Sequence, residues 1–138
     1  YFSSSIFLFL MSMIIENELA TIIVDIAYNI HKEIGPGLLE SVYEEIMFYE
    51  LEKAGVATER QKYFPLVWDE LVLPKAFRAD LVTENRVIIE LKSVETVPAV
   101  NYKTLLTYLQ LTDIRLGLMI NFNVVKIKDG IKRVVNNL

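Results

Sequence analysis

Hydrophobic positions recur at helical spacing in three stretches of the chain, and the stretches between them change period. In NELATIIVDIAYNIHKEIGPG, Leu19, Ile22, Ile23, Ile26 and Ile30 fall on one side of a helix. Asn17 is predicted to cap its start, and Gly35, Pro36 and Gly37 to stop it. A second helix is predicted over LLESVYEEIMFYELEKAG, with Leu39, Val42, Tyr43, Ile46 and Met47 on its apolar side and an end at Gly55. Its acidic run, Glu44, Glu45, Glu50 and Glu52, reads as a solvated face. From Val56 to Lys92 the segments VATERQKYFPLVW, KAFRADLV and RVIIELKSV are short, β-branched and aromatic-rich, with turns expected around Asp69 and Asn85. A third helix fits NYKTLLTYLQLT. Strands fit RLGLMINF and IKRVVN, with Asp129 and Gly130 turning the chain before the last. The order helix, helix, strands, helix, strands implies an α/β layer arrangement around one mostly covered sheet.

RVIIELKSV sets a problem, because Glu90 and Lys92 interrupt a run that otherwise looks buried. Side chains alternate along a strand, so Ile88, Glu90 and Lys92 share one face, and Val87, Ile89 and Leu91 the other. A three-residue loop at Glu84 to Arg86 would pair Thr83 with Val87 and set Asp80 across from Glu90. A two-residue turn would set Asp80 across from Ile89 instead. Two carboxylates about 5 Å apart repel, and something positive should sit between them.

A hard, oxygen-seeking cation suits that position. Mg²⁺ takes one or two carboxylates and leaves its other positions to water and phosphate, and Mn²⁺ can replace it. Asp80 and Glu90 are the expected ligands, with the Leu91 backbone carbonyl as a further oxygen. Lys92 can stabilise charge that develops on a phosphate. Phosphodiester hydrolysis by a metal-activated water is the reaction such a set serves. On spacing alone, a solvated hairpin face accounts for the same three residues. The near-continuous apolarity of VIIEL argues for a covered strand, in which charges must be paired, metal-bound or functional.

Composition narrows the field. A chain of 138 residues that is 53% hydrophobic makes one domain, without repeats or low-complexity segments. It has no cysteine, which excludes disulfides, thiolate metal sites and a cysteine nucleophile, and fits a reducing, cytoplasmic setting. Residues 1–62 hold 4 basic and 10 acidic side chains, residues 63–138 hold 10 and 8, and the net charge is −4. The second half is mildly positive, which is compatible with a phosphate-bearing partner but is not a strongly basic stripe. His31 is the single histidine and lacks a partner at metal spacing, so it reads as a helix-surface residue. GPGLLE has neither the lysine nor the spacing of a phosphate loop.

SIFLFLMSMII is apolar but shorter than the roughly 20 residues a membrane-spanning helix needs, and no Lys or Arg precedes it. It reads as an appendage over residues 1–15, an upstream extension with Met11 and Met13 close behind, ahead of a domain over 16–138. No membrane association is expected.

Two segments together carry a family resemblance. GLLESVY, with Gly37, Glu40 and Tyr43, resembles the signature of the GxxExxY proteins, and FRADLVTENRVIIELKSVE resembles their downstream Asp followed by Glu, any residue, Lys. That family is grouped with the PD-(D/E)XK nuclease-like superfamily. The resemblance runs from about Leu19 to Leu138 and implies a central mixed β-sheet flanked by helices, a restriction-endonuclease-like core. It implies Asp80 and Glu90 as metal-binding carboxylates, Lys92 as the catalytic lysine and Glu40 as an additional helical acid at the same site. Without the resemblance, the helix dipole accounts for Glu40 and core packing for Tyr43. Gly37 lets the chain leave one helix and enter the next. Relatives carry a His and, three residues later, a Gln before the LLTYL segment, whereas this chain has Asn101 and Thr104. Tyr43, Thr104 and Tyr108 are candidates to line the site.

Two functions follow: a Mg²⁺-dependent nuclease acting on DNA or RNA, or a non-catalytic module of nuclease fold that binds nucleic acid or a protein partner. A domain this small is also a candidate for a homo-oligomer, because a second copy would help it grip a duplex.

Overall fold

The structure, a computed structural model, describes residues 3–138. Helix α1 spans Ser4–Ile34 and α2 spans Glu40–Lys53. Strands β1 (Thr58–Trp68), β2 (Leu71–Thr83) and β3 (Val87–Lys92) follow. The chain then forms α3 (Ala99–Thr112), β4 (Leu116–Asn121), a 3₁₀ turn over Ile127–Gly130 and β5 (Ile131–Val135). The five strands lie in chain order across one sheet. β3 and β4 are parallel and the other neighbouring pairs antiparallel, so the sheet is mixed, and α3 is the crossover that the parallel pair requires.

Helices cover both faces, which is why β3 and β4 are apolar on both sides. On one face, Ile23 and Ala27 of α1 and Tyr43, Met47 and Leu51 of α2 pack with Leu81, Ile89, Leu91, Leu118 and Ile120. On the other, Leu105 and Leu109 of α3 pack with Val82, Ile88 and Met119. Each fully buried side chain of this size contributes about 1.5–3 kcal/mol. A Cβ on Gly117 would lie 2.9 Å from Leu105, so the absent side chain is what lets α3 close down on the sheet beside Ile88, its neighbour across the parallel ladder. Glu90 and Lys92 share the Ile88 face and therefore look toward α3.

Several expectations need correction. α1 begins thirteen residues before Asn17, capped by the Ser3 hydroxyl, which accepts from the Ile6 N–H at 3.3 Å. Asn17 is a helix-interior residue, and its side-chain oxygen accepts from Arg133. Leu39 and Val42 are exposed, the former 74%. The buried side of α2 runs through Tyr43, Glu44, Met47 and Leu51 instead. Its acidic run is thus not wholly solvated, because Glu44 is buried at 8% exposure. His31 is half-buried and hydrogen-bonds the Val124 carbonyl at 2.7 Å. Among the described residues, no helix is long and apolar enough to cross a membrane.

Candidate active site

The hairpin between β2 and β3 sets the register. Thr83 pairs with Val87, Val82 with Ile88 and Leu81 with Ile89, across a turn in which Glu84 and Asn85 are both left-handed and the Arg86 N–H donates to the Thr83 carbonyl at 2.8 Å. This is the three-residue loop, and the two-residue alternative is excluded. Beyond Leu81 the backbone pairing stops. There the Asp80 carboxylate takes over, accepting the Leu91 N–H at 2.9 Å. One Asp80 oxygen is thereby fixed against β3, beside Glu90.

A cavity of about 280 Å³ opens at this point, lined by Glu40, Arg78, Asp80, Glu90, Lys92, Asn101, Thr104, Leu105, Tyr108 and Met119. Five elements supply it: the start of α2, the inner part of β2, the end of β3, α3 and, through Met119, β4. Glu90 is only 9% exposed, and its Oε1 is buried without a hydrogen-bond partner. Burial above all, and then the Asp80 charge and a hydrogen bond to its carboxylate, push Glu90 up to about 9. Burial beside Asp80 therefore favours the protonated form of Glu90 at neutral pH. Glu40 is also raised, first by burial and then by Asp80, with Lys92 acting against both. Tyr108 is raised by burial and by the two β-strand acids.

These residues fit a divalent cation. Glu90 keeps a buried, unpartnered carboxylate oxygen in the cavity that Asp80 also lines, and a cation there would offset the repulsion between the two acids. Strand geometry turns the Leu91 carbonyl to the same edge as its N–H, toward Asp80. Among the described residues no cluster of three Asp, Glu, His or Cys side chains could hold a metal. The donor set is thus two carboxylates with carbonyl or solvent oxygens, which is the composition Mg²⁺ favours.

The family model of the PD-(D/E)XK nuclease superfamily matches residues 17–134. The chain belongs to the PD-(D/E)XK nuclease superfamily. No curated protein and no solved structure matches it significantly. The mixed five-stranded sheet with helices on both faces is consistent with the superfamily's restriction-endonuclease-like fold.

Most of the expected superfamily site residues come together. Asp80, Glu90, Lys92, Glu40, Thr104 and Tyr108 all line one cavity. Tyr43 does not. It is fully buried on the opposite side of the sheet, stacked on Phe122 at 4.3 Å between ring centres. Its hydroxyl donates to the Gly35 carbonyl at 2.7 Å and accepts from the Leu38 N–H at 3.2 Å. The tyrosine thus ties the α1–α2 connection together and sets where Glu40 begins α2. Thr104 reaches the cavity wall, but its hydroxyl donates back to the Val100 carbonyl at 3.0 Å, one turn earlier in α3.

Sequence reading missed a second layer behind Asp80. Gln61, on β1, has φ 47°, and the β1–β2 pairing skips it. Its side-chain amide donates to Glu44 and, at 3.4 Å, to the other Asp80 oxygen. Glu44 is in turn paired with Arg60 at 3.2 Å. A left-handed glutamine inside a strand has no signature in a single sequence. The buried Glu44 is one turn beyond Glu40, so it shares the inward side of α2, which was the available signal.

Proposed function

We propose that this chain is a Mg²⁺-dependent nuclease that hydrolyses phosphodiester bonds in nucleic acid, with Mn²⁺ as an effective substitute. The observation that carries this reading is the buried, unpartnered oxygen of Glu90 in a cavity that Asp80 and Lys92 also line. A purely structural carboxyl pair would not leave such an oxygen unsatisfied, since an orphaned buried acceptor costs about 1–3 kcal/mol.

In this reading Asp80, Glu90 and the Leu91 carbonyl hold the cation. The bound cation supplies Lewis acidity at the scissile phosphate. Lys92 contributes its ammonium charge to the non-bridging oxygens as negative charge builds on them. Glu40 lies on the same wall, and its raised pKa makes it a stronger base for the proton of the attacking water. The water oxygen bonds to phosphorus, the bond from phosphorus to the leaving oxygen breaks, and Asp80 keeps its place through the Leu91 N–H throughout. Thr104 offers no amide to this site, and that departure, with the small size of the domain and its lack of a strongly basic surface, is what favours the non-catalytic alternative.

The test is cleavage of labelled single- and double-stranded DNA and RNA by the purified protein with Mg²⁺, Mn²⁺ or EDTA, beside Asp80→Ala and Lys92→Ala. Metal-dependent cleavage lost in both variants is the expected result. Folded protein that neither cuts nor gains thermal stability from either cation would establish the binding module instead.

A further inference from the structure

The β1–β2 hairpin continues well past the sheet. From Pro65 to Ala76 its residues are exposed, with Leu66 half-buried, so among the described residues no other element covers this outer arm of the hairpin. An isolated two-stranded hairpin is marginal in water, and a long one needs a reason to stand free. The root of this arm is the cavity wall, because Arg78 and Asp80 belong to both.

Cations and aromatic rings alternate outward from that root. The Arg78 guanidinium lies 5.7 Å from the centre of the Tyr63 ring, with its Nη1 3.5 Å from the tyrosine oxygen. The Lys75 ammonium lies 4.7 Å from the same ring. Tyr63 is 46% exposed. Among the described residues neither Lys75 nor Arg78 has a carboxylate within 4.0 Å, as holds for most lysines and arginines of this chain, so what marks these two is the ring they share. Two cations flanking an exposed ring and leading to the cavity that holds Asp80, Glu90 and Lys92 have the charge and shape of a nucleic-acid strand path.

We propose that Tyr63, Lys75 and Arg78 form a subsite for an unpaired nucleic-acid strand, which runs along the arm as it enters the cavity. Lys75 and Arg78 meet successive phosphates, and Tyr63 stacks on a base. A duplex keeps its bases stacked on each other, so the subsite favours single-stranded DNA or RNA, or a frayed end. The direction of the strand rests on the nuclease reading above; the binding itself does not.

The experiment is fluorescence anisotropy of labelled single-stranded and duplex oligonucleotides with the full chain in EDTA over a series of salt concentrations. It compares wild type with Tyr63→Leu and Lys75→Ala, neither of which lines the cavity, and cleavage is measured in parallel. Tyr63→Leu is expected to weaken single-strand binding roughly fivefold or more and duplex binding less. Lys75→Ala is expected to reduce the slope of log affinity against log salt by about 0.7, one phosphate contact on a single strand. Wild-type binding that neither variant changes overturns the subsite, even if the protein cuts. Binding lost in the variants without any wild-type cleavage supports the subsite and overturns the nuclease reading. Wild type that binds no oligonucleotide, or an arm found by sedimentation to be buried in a dimer of this chain, overturns the subsite as well. Circular dichroism of both variants guards against misfolding.

Discussion

The Asp80 carboxylate accepts the Leu91 N–H at 2.9 Å, where the backbone ladder between β2 and β3 has just ended. One side chain thus completes the sheet and presents an acid to the cavity at the same time. The two roles separate in Asp80→Asn. The asparagine oxygen can still accept the Leu91 N–H, while the Asp80 charge that helps to hold Glu90 above its ordinary pKa is gone. The variant is therefore expected to be more stable than wild type in EDTA by about 1 kcal/mol, roughly 4 °C in Tm for a chain of this size. Added Mg²⁺ should stabilise the wild type and leave the variant unchanged. A variant that melts below wild type in EDTA would show that the bond from the Gln61 amide to the other Asp80 oxygen, which an asparagine amide cannot accept, outweighs the relief at Glu90.

Glu90 makes stability depend on pH in a defined direction. Its pKa rises from an ordinary 4.5 to about 9, chiefly through burial. Between those values the folded protein retains a proton that the unfolded chain has released. The Glu90 contribution to the stability of the metal-free protein is therefore fully present below the ordinary value and is lost as pH rises toward 9, with a slope of at most about 1.4 kcal/mol per pH unit. Chemical denaturation at several pH values in EDTA measures this slope, and Glu90→Gln should flatten it. Cation binding at pH 7 should release close to one proton, seen by calorimetry in buffers of different ionisation enthalpy. A slope of opposite sign would mean that Glu90 is ionised in the metal-free fold.

Tyr43→Phe separates the motif's tyrosine from the chemistry. The lost hydroxyl leaves the Gly35 carbonyl and the Leu38 N–H without their partner. A cost of about 1–2 kcal/mol is expected, roughly 4–8 °C in Tm. Cleavage well below the melting transition should stay within about twofold of wild type. A large fall in cleavage without a fall in Tm would return Tyr43 to the site.

Thr104→Gln extends an amide from the cavity wall, where the threonine hydroxyl is tied to Val100. An added hydrogen bond to a charged group contributes about 1.5–3 kcal/mol, so metal-dependent cleavage should rise roughly tenfold. Cleavage by the variant alone would identify Thr104 as the residue that silences the natural chain.

The elements and their order were legible because period and turn chemistry agree. VIIEL is too continuously apolar for a half-exposed strand, and the Glu84 to Arg86 loop fixes the register that brings Asp80 to Glu90. What escaped were properties of packing. Leu39 and Val42 continue a helical stripe in sequence, yet α2 turns a slightly different side inward, with Glu44 in it. Arg60 and Gln61 make that acid tolerable, from a strand whose pairing to α2 no local pattern announces. The strand after the Asp69 turn begins at Leu71 and not at Lys75, because the turn is tight enough for Leu71, Val72 and Leu73 to pair with Trp68, Val67 and Leu66, exposed on the arm where no burial pattern marks them.

Gln61 offers the sharpest division between fold and site. Its left-handed backbone costs a non-glycine residue about 1–2 kcal/mol, and its amide is what links Asp80 to the buried Glu44. Gln61→Gly removes the backbone cost and the amide together. The two effects on stability oppose each other, since losing a hydrogen bond to a charged group costs about 1.5–3 kcal/mol, and Tm should fall by only a few degrees. The site has no such compensation. With one Asp80 oxygen released, Mg²⁺ affinity measured by calorimetry should fall roughly tenfold, as when a residue supporting a ligand is removed. Gln61→Ala, which has no amide, should keep the backbone cost and lose the link, so it should melt below Gln61→Gly while binding Mg²⁺ as weakly. Equal Mg²⁺ affinity in wild type and both variants would confine Gln61 to the fold.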